Sequence, residues 1–224
     1  SKVERINCKN CGACVKVCPF NAARLIGRRF DAHSLLAVVL KDSDFFAESM
    51  GGVTLSGGEP MLFHPFLKIF LPMLKEHSIQ VLLETCGAFK WEHMLPLLPN
   101  IDMIYFDLKI MDPDRHKYYT SVNNSHILEN FRRLSGSASG IQARMCVVPS
   151  INDDEDNIRA IIALLKDNGH SSLTCLAYHK MGEAKLARLK TSLKPMLLMP
   201  AASADLMAIC DAFEKGGIHA RVLD

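Results

Sequence analysis

Short apolar runs alternate with longer amphipathic stretches along most of this chain. Val53–Leu55, Gln80–Glu84, Ile101–Phe106, Gln142–Val148, Leu173–Tyr178 and Ile218–Leu223 are brief, largely apolar segments. Runs of that length predict buried strands. Between them, apolar residues recur at helical spacing over Ala32–Glu48, Pro65–His77, Ser125–Leu134, Asp154–Asp167 and Ala204–Lys215. Asp31 and Asn124 stand where they can cap two of these helices, and Gly169 where it can end a third. Strand–helix alternation with apolar strands predicts an α/β fold, a parallel sheet covered by helices.

The first thirty residues depart from this pattern. Cys8, Cys11, Cys14 and Cys18 are followed at once by Pro19, giving C-x2-C-x2-C-x3-C-P. This spacing wraps the clusters of bacterial ferredoxins, since thiolates are soft ligands that bind iron–sulfur iron well. A zinc site would want two separated ligand pairs, and disulfides between such close neighbours would be strained. The expected ligands of a 4Fe-4S cluster are therefore Cys8, Cys11, Cys14 and Cys18. In two-cluster ferredoxins the cysteine before proline serves the other cluster. That rule predicts an upstream portion with further cysteines, ahead of the Ser1 with which this chain starts. The alternative is a single cluster closed by Cys18 itself. The domain boundary is expected near residue 30, with a ferredoxin-type segment at 1–30 and the α/β unit at 31–224.

Composition narrows the field further. The chain has 224 residues, nearly half of them hydrophobic, enough for one domain with a sizeable core and a small appendage. A net charge of +2, without a Lys/Arg-rich tract, gives no warrant for a nucleic-acid partner. No apolar run is long enough to span a bilayer, so no membrane role is expected. Eight cysteines arranged as a cluster run plus scattered singles suit a reducing cytoplasm.

The candidate chemistry lies at the C-terminal ends of the predicted strands. Gly57-Gly58-Glu59-Pro60 follows the first strand, and Glu84-Thr85 ends the second. Asp107 and Lys109 follow the third, Arg144 lies within the fourth, and His179 follows the fifth. In barrel-type sheets this rim is where sites are built. A strand-end Asp alone would only cap a turn. Five strands delivering polar groups to one rim suit a zwitterionic ligand with a carboxylate and an amine.

Here the sequence resembles a known family. Gly52-Val53-Thr54-Leu55-Ser56-Gly57-Gly58-Glu59-Pro60 is similar to the glycine-rich segment of radical S-adenosylmethionine enzymes, and more narrowly of glycyl radical enzyme activating enzymes. Glu84-Thr85-Cys86-Gly87, Asp107-Leu108-Lys109, Arg144, Pro149, Asn152-Asp153 and Tyr178-His179-x-x-Gly182-x-x-Lys185 follow in the family's order. The ferredoxin run resembles that of the larger activases, which carry auxiliary clusters. The resemblance implies a partial (β/α)6 barrel of the TIM type whose first strand, with the Cys-x3-Cys-x2-Cys loop of the catalytic cluster, lies upstream of Ser1. It implies reductive cleavage of S-adenosylmethionine to methionine and a deoxyadenosyl radical, which removes a hydrogen atom from a backbone glycine of a partner glycyl radical enzyme. A flavodoxin or ferredoxin would donate the electron. Without the catalytic loop, the chain as given is expected to be inactive alone.

Residue roles come from the same resemblance. Gly57 and Gly58, with Glu59 beside them, would let the backbone approach the methionyl amine, and Lys109 would pair with the carboxylate. Asp107 would fix that lysine or the amine. Arg144 would sit near the cofactor, and His179 beside the ribose or sulfonium. Glu84-Thr85 is similar to an acidic–Thr pair that binds a monovalent cation, with Glu where that pair has Asp. Cys86 and Cys146 are expected to be core residues. Ser121 and Ser150 stand where the family has glycine, so their turns are expected to avoid positive φ. Two other readings compete with the activase. An electron-transfer module on a barrel scaffold would need neither the glycine-rich segment nor Lys109. A radical enzyme acting on a small molecule fits Gly182 and Lys185 less well.

Overall fold

The computed structural model describes residues 8–9, 11–137, 140–182 and 197–223. All six predicted strands form: β1 (Gly52–Leu55), β2 (Gln80–Thr85), β3 (Met103–Asp107), β4 (Gly140–Val147), β5 (Ser172–Ala177) and β6 (His219–Leu223). They lie in sequence order in one sheet, and every neighbouring pair is parallel. Parallel neighbours require crossovers, and helices supply them. Among the described residues α1 (Ala13–Lys16), α2 (Ala32–Val39) and α3 (Ser43–Ser49) precede β1, and the helices between strands are α4 (His64–Glu76), α5 (Trp91–Met94), α6 (Pro113–Thr120), α7 (Ser125–Ser135), α8 (Glu155–Asp167) and α9 (Ser203–Lys215).

The two faces of the sheet differ. Val81 and Leu83, Ile104 and Phe106, Ala143 and Met145, and Leu173 and Cys175 are buried on the face that α4, α7, α8 and α9 cover. Phe70, Leu71 and Leu74 of α4, Phe131 and Leu134 of α7, Ile161 and Leu165 of α8, and Phe213 of α9 meet them. Each such side chain contributes about 1.5–3 kcal/mol by leaving water. The alternate residues, Glu84, Tyr105, Asp107, Arg144 and Cys146, lie on the opposite face by the two-residue period of a strand. That polar face carries the candidate site.

Several local expectations hold and others shift. Asp31 caps α2, accepting from the Ser34 amide at 2.8 Å. Gly169 ends α8 at φ +76, and the amide of His170 reaches back to the carbonyl of Leu165. The predicted helix Ala32–Glu48 is two helices joined by a 3-10 turn at Leu40–Asp42. Asn124 does not cap α7; Asn123 accepts from the Ser125 amide instead, at 2.8 Å. Ser121 and Ser150 do adopt positive φ, each at +65, so serine occupies the left-handed region in both turns.

Candidate functional site at the strand ends

The first strand leaves the sheet through Ser56 into Gly57, whose φ of +115 only glycine adopts at low cost. A Cβ placed on Gly57 or Gly58 would meet no atom within 4 Å. This backbone is therefore open on its rim side, as close approach of a ligand requires. Glu59 turns away from that opening. Its carboxylate accepts from the Met61 amide, the Thr85 hydroxyl, and both the amide and thiol of Cys86, all within 2.9–3.1 Å. It ties the β1 loop to the end of β2.

Arg144 is the hub of the polar face. Its Nη1 donates to Glu84 Oε1 at 2.8 Å. Its Nε and Nη2 donate to Asp107 Oδ1 at 3.1 and 2.9 Å. The guanidinium also lies 4.9 Å from the Tyr105 ring centroid, a cation–π distance. Glu84 Oε2 accepts from Ser56 at 2.6 Å, so both oxygens of Glu84 are engaged. Asp107 instead directs both of its guanidinium bonds to one oxygen, leaving Oδ2 for another donor. Burial pushes the Glu84 carboxyl up, but the Ser56 hydroxyl and Arg144 together bring it below its ordinary value. For Asp107, burial outweighs the pull of Arg144 and Lys109 and holds the carboxyl above its ordinary value. Burial would lower Arg144, but its two carboxylates keep it raised.

Lys109 stands two residues past Asp107. Among the described residues its ammonium makes no hydrogen bond or ion pair, yet it acts electrostatically on Asp107, Cys86 and Cys146. Its backbone is held by two buried asparagines: Asn152 Nδ2 and Asn157 Nδ2 both donate to the Lys109 carbonyl at 3.2 Å. The rim thus offers an unpaired ammonium, a carboxylate oxygen with capacity to accept, and open glycine backbone. These complement the carboxylate and amine of an amino-acid group.

The structure brings Gly57, Gly58, Glu84, Asp107, Lys109 and Arg144 to one rim. It separates Thr85 from Glu84. Thr85 faces the helices, 2% exposed, donating to Glu59 and accepting from the Gly87 amide. A monovalent cation held jointly by the two side chains would need them on one face. His179 follows β5 and is exposed, and Lys185 lies outside the described residues. Cys86 and Cys146 are half-buried at the rim, both thiols pushed up by burial. Sequence reasoning missed Ser56, Tyr105 and Asn157. The period-two phase of β1 and β3 could have flagged the first two, and Asn157 lacks a local signal.

In the cysteine run, Cys8, Cys11 and Cys14 are exposed and Cys18 half-buried. The Cys18 thiol accepts the Ala22 amide at 3.2 Å, and amides of Ala23, Phe20 and Ala22 lower it. Amide donors of this kind also stabilise cluster sulfurs. Among the described residues no three His, Cys, Asp or Glu side chains are gathered to hold a metal ion. No helix among them is long and apolar enough to cross a membrane.

The sequence pattern of the Radical SAM superfamily matches residues 10–168. An isethionate sulfite-lyase activating enzyme from Nitratidesulfovibrio vulgaris is 37% identical over 186 residues, 82% of this chain and 60% of that protein. A (2S)-3-sulfopropanediol dehydratase activating enzyme from Klebsiella oxytoca is 34% identical over 192 residues, 84% of this chain and 61% of that protein. This chain thus spans about three-fifths of the length of these relatives. A domain of a pyruvate-formate lyase-activating enzyme from Bacteroides vulgatus ATCC 8482 shares the fold, with a TM-score of 0.64 and 23% identity over 78% of this chain and 99% of that one.

Proposed function

Because this chain belongs to the radical S-adenosylmethionine superfamily, we propose that it is the barrel part of an activating enzyme that installs a glycyl radical on a partner glycyl radical enzyme. The reading rests above all on the unpaired Lys109 ammonium beside Asp107 and the open Gly57-Gly58 backbone, in a chain similar to two activating enzymes. Membership carries the family's cofactors, a 4Fe-4S cluster and S-adenosylmethionine. Together, when bound, they supply reductive cleavage of a sulfonium and removal of a hydrogen atom.

The residues present fit the amino-acid end of S-adenosylmethionine. Lys109 holds its carboxylate with a charge-assisted bond, and Asp107 Oδ2 accepts from its amine. Gly57 and Gly58 leave room for the amine against the backbone. Arg144 neutralises Glu84 and fixes Asp107, so one carboxylate oxygen stays oriented toward the ligand. Residues 1–30 act as a ferredoxin-type segment, with Cys8, Cys11, Cys14 and Cys18 as cluster ligands, and residues 31–224 as the barrel. A flavodoxin or ferredoxin is the electron donor, and the cytoplasm the site of action.

The test uses the full-length protein with its clusters, reductant and a candidate glycyl radical enzyme as partner. Deoxyadenosine formation with the electron paramagnetic resonance signal of a backbone glycyl radical on the partner is expected. Deoxyadenosine formed without that signal would direct the chemistry to a small molecule instead. In the same protein, Lys109→Ala is expected to weaken S-adenosylmethionine binding at least tenfold, about 1.4 kcal/mol.

A further inference from the structure

Three buried asparagines converge on the backbone that carries Lys109. Asn152 and Asn157 both donate to the Lys109 carbonyl at 3.2 Å. Asn124 Nδ2 donates to the next two carbonyls, Ile110 and Met111, at 2.9 Å each. Asn157 Oδ1 accepts from the Met111 amide at 2.8 Å. Asn157 is also joined to Asn152, and Asn152 to the end of β4. Asn157 Nδ2 reaches the Asn152 carbonyl at 2.8 Å, while Asn152 bonds the Cys146 carbonyl and the Val148 amide at 2.8 and 2.7 Å. All three asparagines are at most 4% exposed.

None of these bonds belongs to a helix or strand ladder. Residues 109–111 leave β3 without a sheet neighbour, and buried backbone groups there need partners. A loop could meet that need in many ways. Here side chains from the β4–α8 turn, α8 and the residue before α7 fix three consecutive residues, starting at Lys109. The lysine side chain itself has no partner among the described residues to hold it. Its starting point is fixed while its tip is free.

We propose that Asn157, with Asn152, is a positioning residue for Lys109, setting the backbone from which the ammonium meets the ligand carboxylate. This rests on the reading of Lys109 given above. Asn157 touches no ligand; it acts through the Lys109 carbonyl and the Met111 amide. Losing it frees the loop, and Lys109 must then be ordered at the moment of binding, so affinity falls. A purely structural role would lower stability and leave affinity, measured on the folded protein, unchanged.

The experiment is a double-mutant cycle read by titration calorimetry. S-adenosylmethionine is added to the full-length, cluster-loaded protein with reductant withheld, so that it binds without turnover. Parent, Lys109→Ala, Asn157→Ala and the double variant are compared at a temperature where melting curves show all four folded. If Asn157→Ala does not fold, Asn157→Ser replaces it. Each single variant is expected to weaken binding about tenfold, and the double variant no more than Lys109→Ala alone, because the asparagine acts only through the lysine. Amide exchange of Met111 should accelerate in the Asn157 variant and stay at the parent rate in Lys109→Ala. An Asn157 variant that binds at parent affinity, or losses that multiply in the double variant, would overturn the inference while leaving Lys109 in the site. Parent affinity in Lys109→Ala would overturn the site reading itself.

Discussion

Arg144→Met tests whether the polar face is held by a shared cation. The guanidinium side chain is 10% exposed, and its partners Glu84 and Asp107 are 26% and 31% exposed. Methionine fills similar space and removes three charge-assisted bonds. Breaking a buried pair by removing one partner costs about 3–5 kcal/mol. Both carboxylates here keep some contact with water, so about 2 kcal/mol is the better figure. For a chain of this size that is a fall in melting temperature of about 4–8 °C. The pH dependence carries the mechanism. In the parent the Glu84 carboxyl is lowered, so its stabilisation is present above the unfolded value and lost as pH falls through the folded value. Without Arg144, burial raises Asp107 further and is opposed at Glu84 only by the Ser56 hydroxyl. A raised carboxyl costs the folded state most above its own pKa and nothing well below the unfolded value of about 4. The loss should therefore be greatest near pH 7–8 and shrink toward pH 5. Adding Glu84→Gln to Arg144→Met should restore part of it by removing one of two unpaired charges. Thermal melts of the three variants across that pH range decide the matter. An equal loss at pH 5 and pH 8, or a further loss on adding Glu84→Gln, would refute the reasoning.

Two further outcomes follow from the same geometry. Gly58→Val should leave the melting temperature within about 2 °C of the parent, because a Cβ there meets no protein atom, yet it should abolish deoxyadenosine formation in the full-length protein. Parent-rate cleavage would make the glycine segment an ordinary turn. In cluster-free protein near neutral pH, Cys18 should react with an alkylating agent well before Cys86, as peptide mass spectrometry would report. Backbone amides lower the Cys18 thiol, whereas burial and Glu59 raise that of Cys86.

The elements were legible because their signals are local. A short apolar run between turn residues marks a strand, and Asp31 just ahead of an amphipathic stretch marks a capped helix start. The candidate rim was legible for the same reason: a polar residue at the end of an apolar strand has its position fixed by the strand itself. Helix α6 was missed although Asp112 and Pro113 form a start signal, with Asp112 accepting from the Arg115 amide. Its body, Asp114-Arg115-His116-Lys117-Tyr118-Tyr119, buries only His116 and so shows no apolar stripe.

The partners were not legible, and the reason is register. Arg144 meets Glu84 and Asp107 across gaps of 60 and 37 residues, and only the parallel pairing of β2, β3 and β4 aligns them. Asp107 lies directly opposite Arg144 in that register. Glu84 and Thr85 look like a pair in sequence, yet adjacent strand residues face opposite sides, so one joins the polar face and the other the helix layer. Asn124 shows the converse. Local spacing made it a cap, but its side chain answers two carbonyls of the Lys109 loop, and the adjacent Asn123 takes the cap instead. A buried amide goes where unpaired backbone needs it most. The arrangement of charges then follows. Arg144 is committed to two carboxylates, Glu59 to four donors, and Glu84 to Ser56 and Arg144. Lys109 is left with a fixed backbone and an ammonium that no side chain among the described residues engages, which suits the carboxylate-binding role proposed for it better than the committed arginine would.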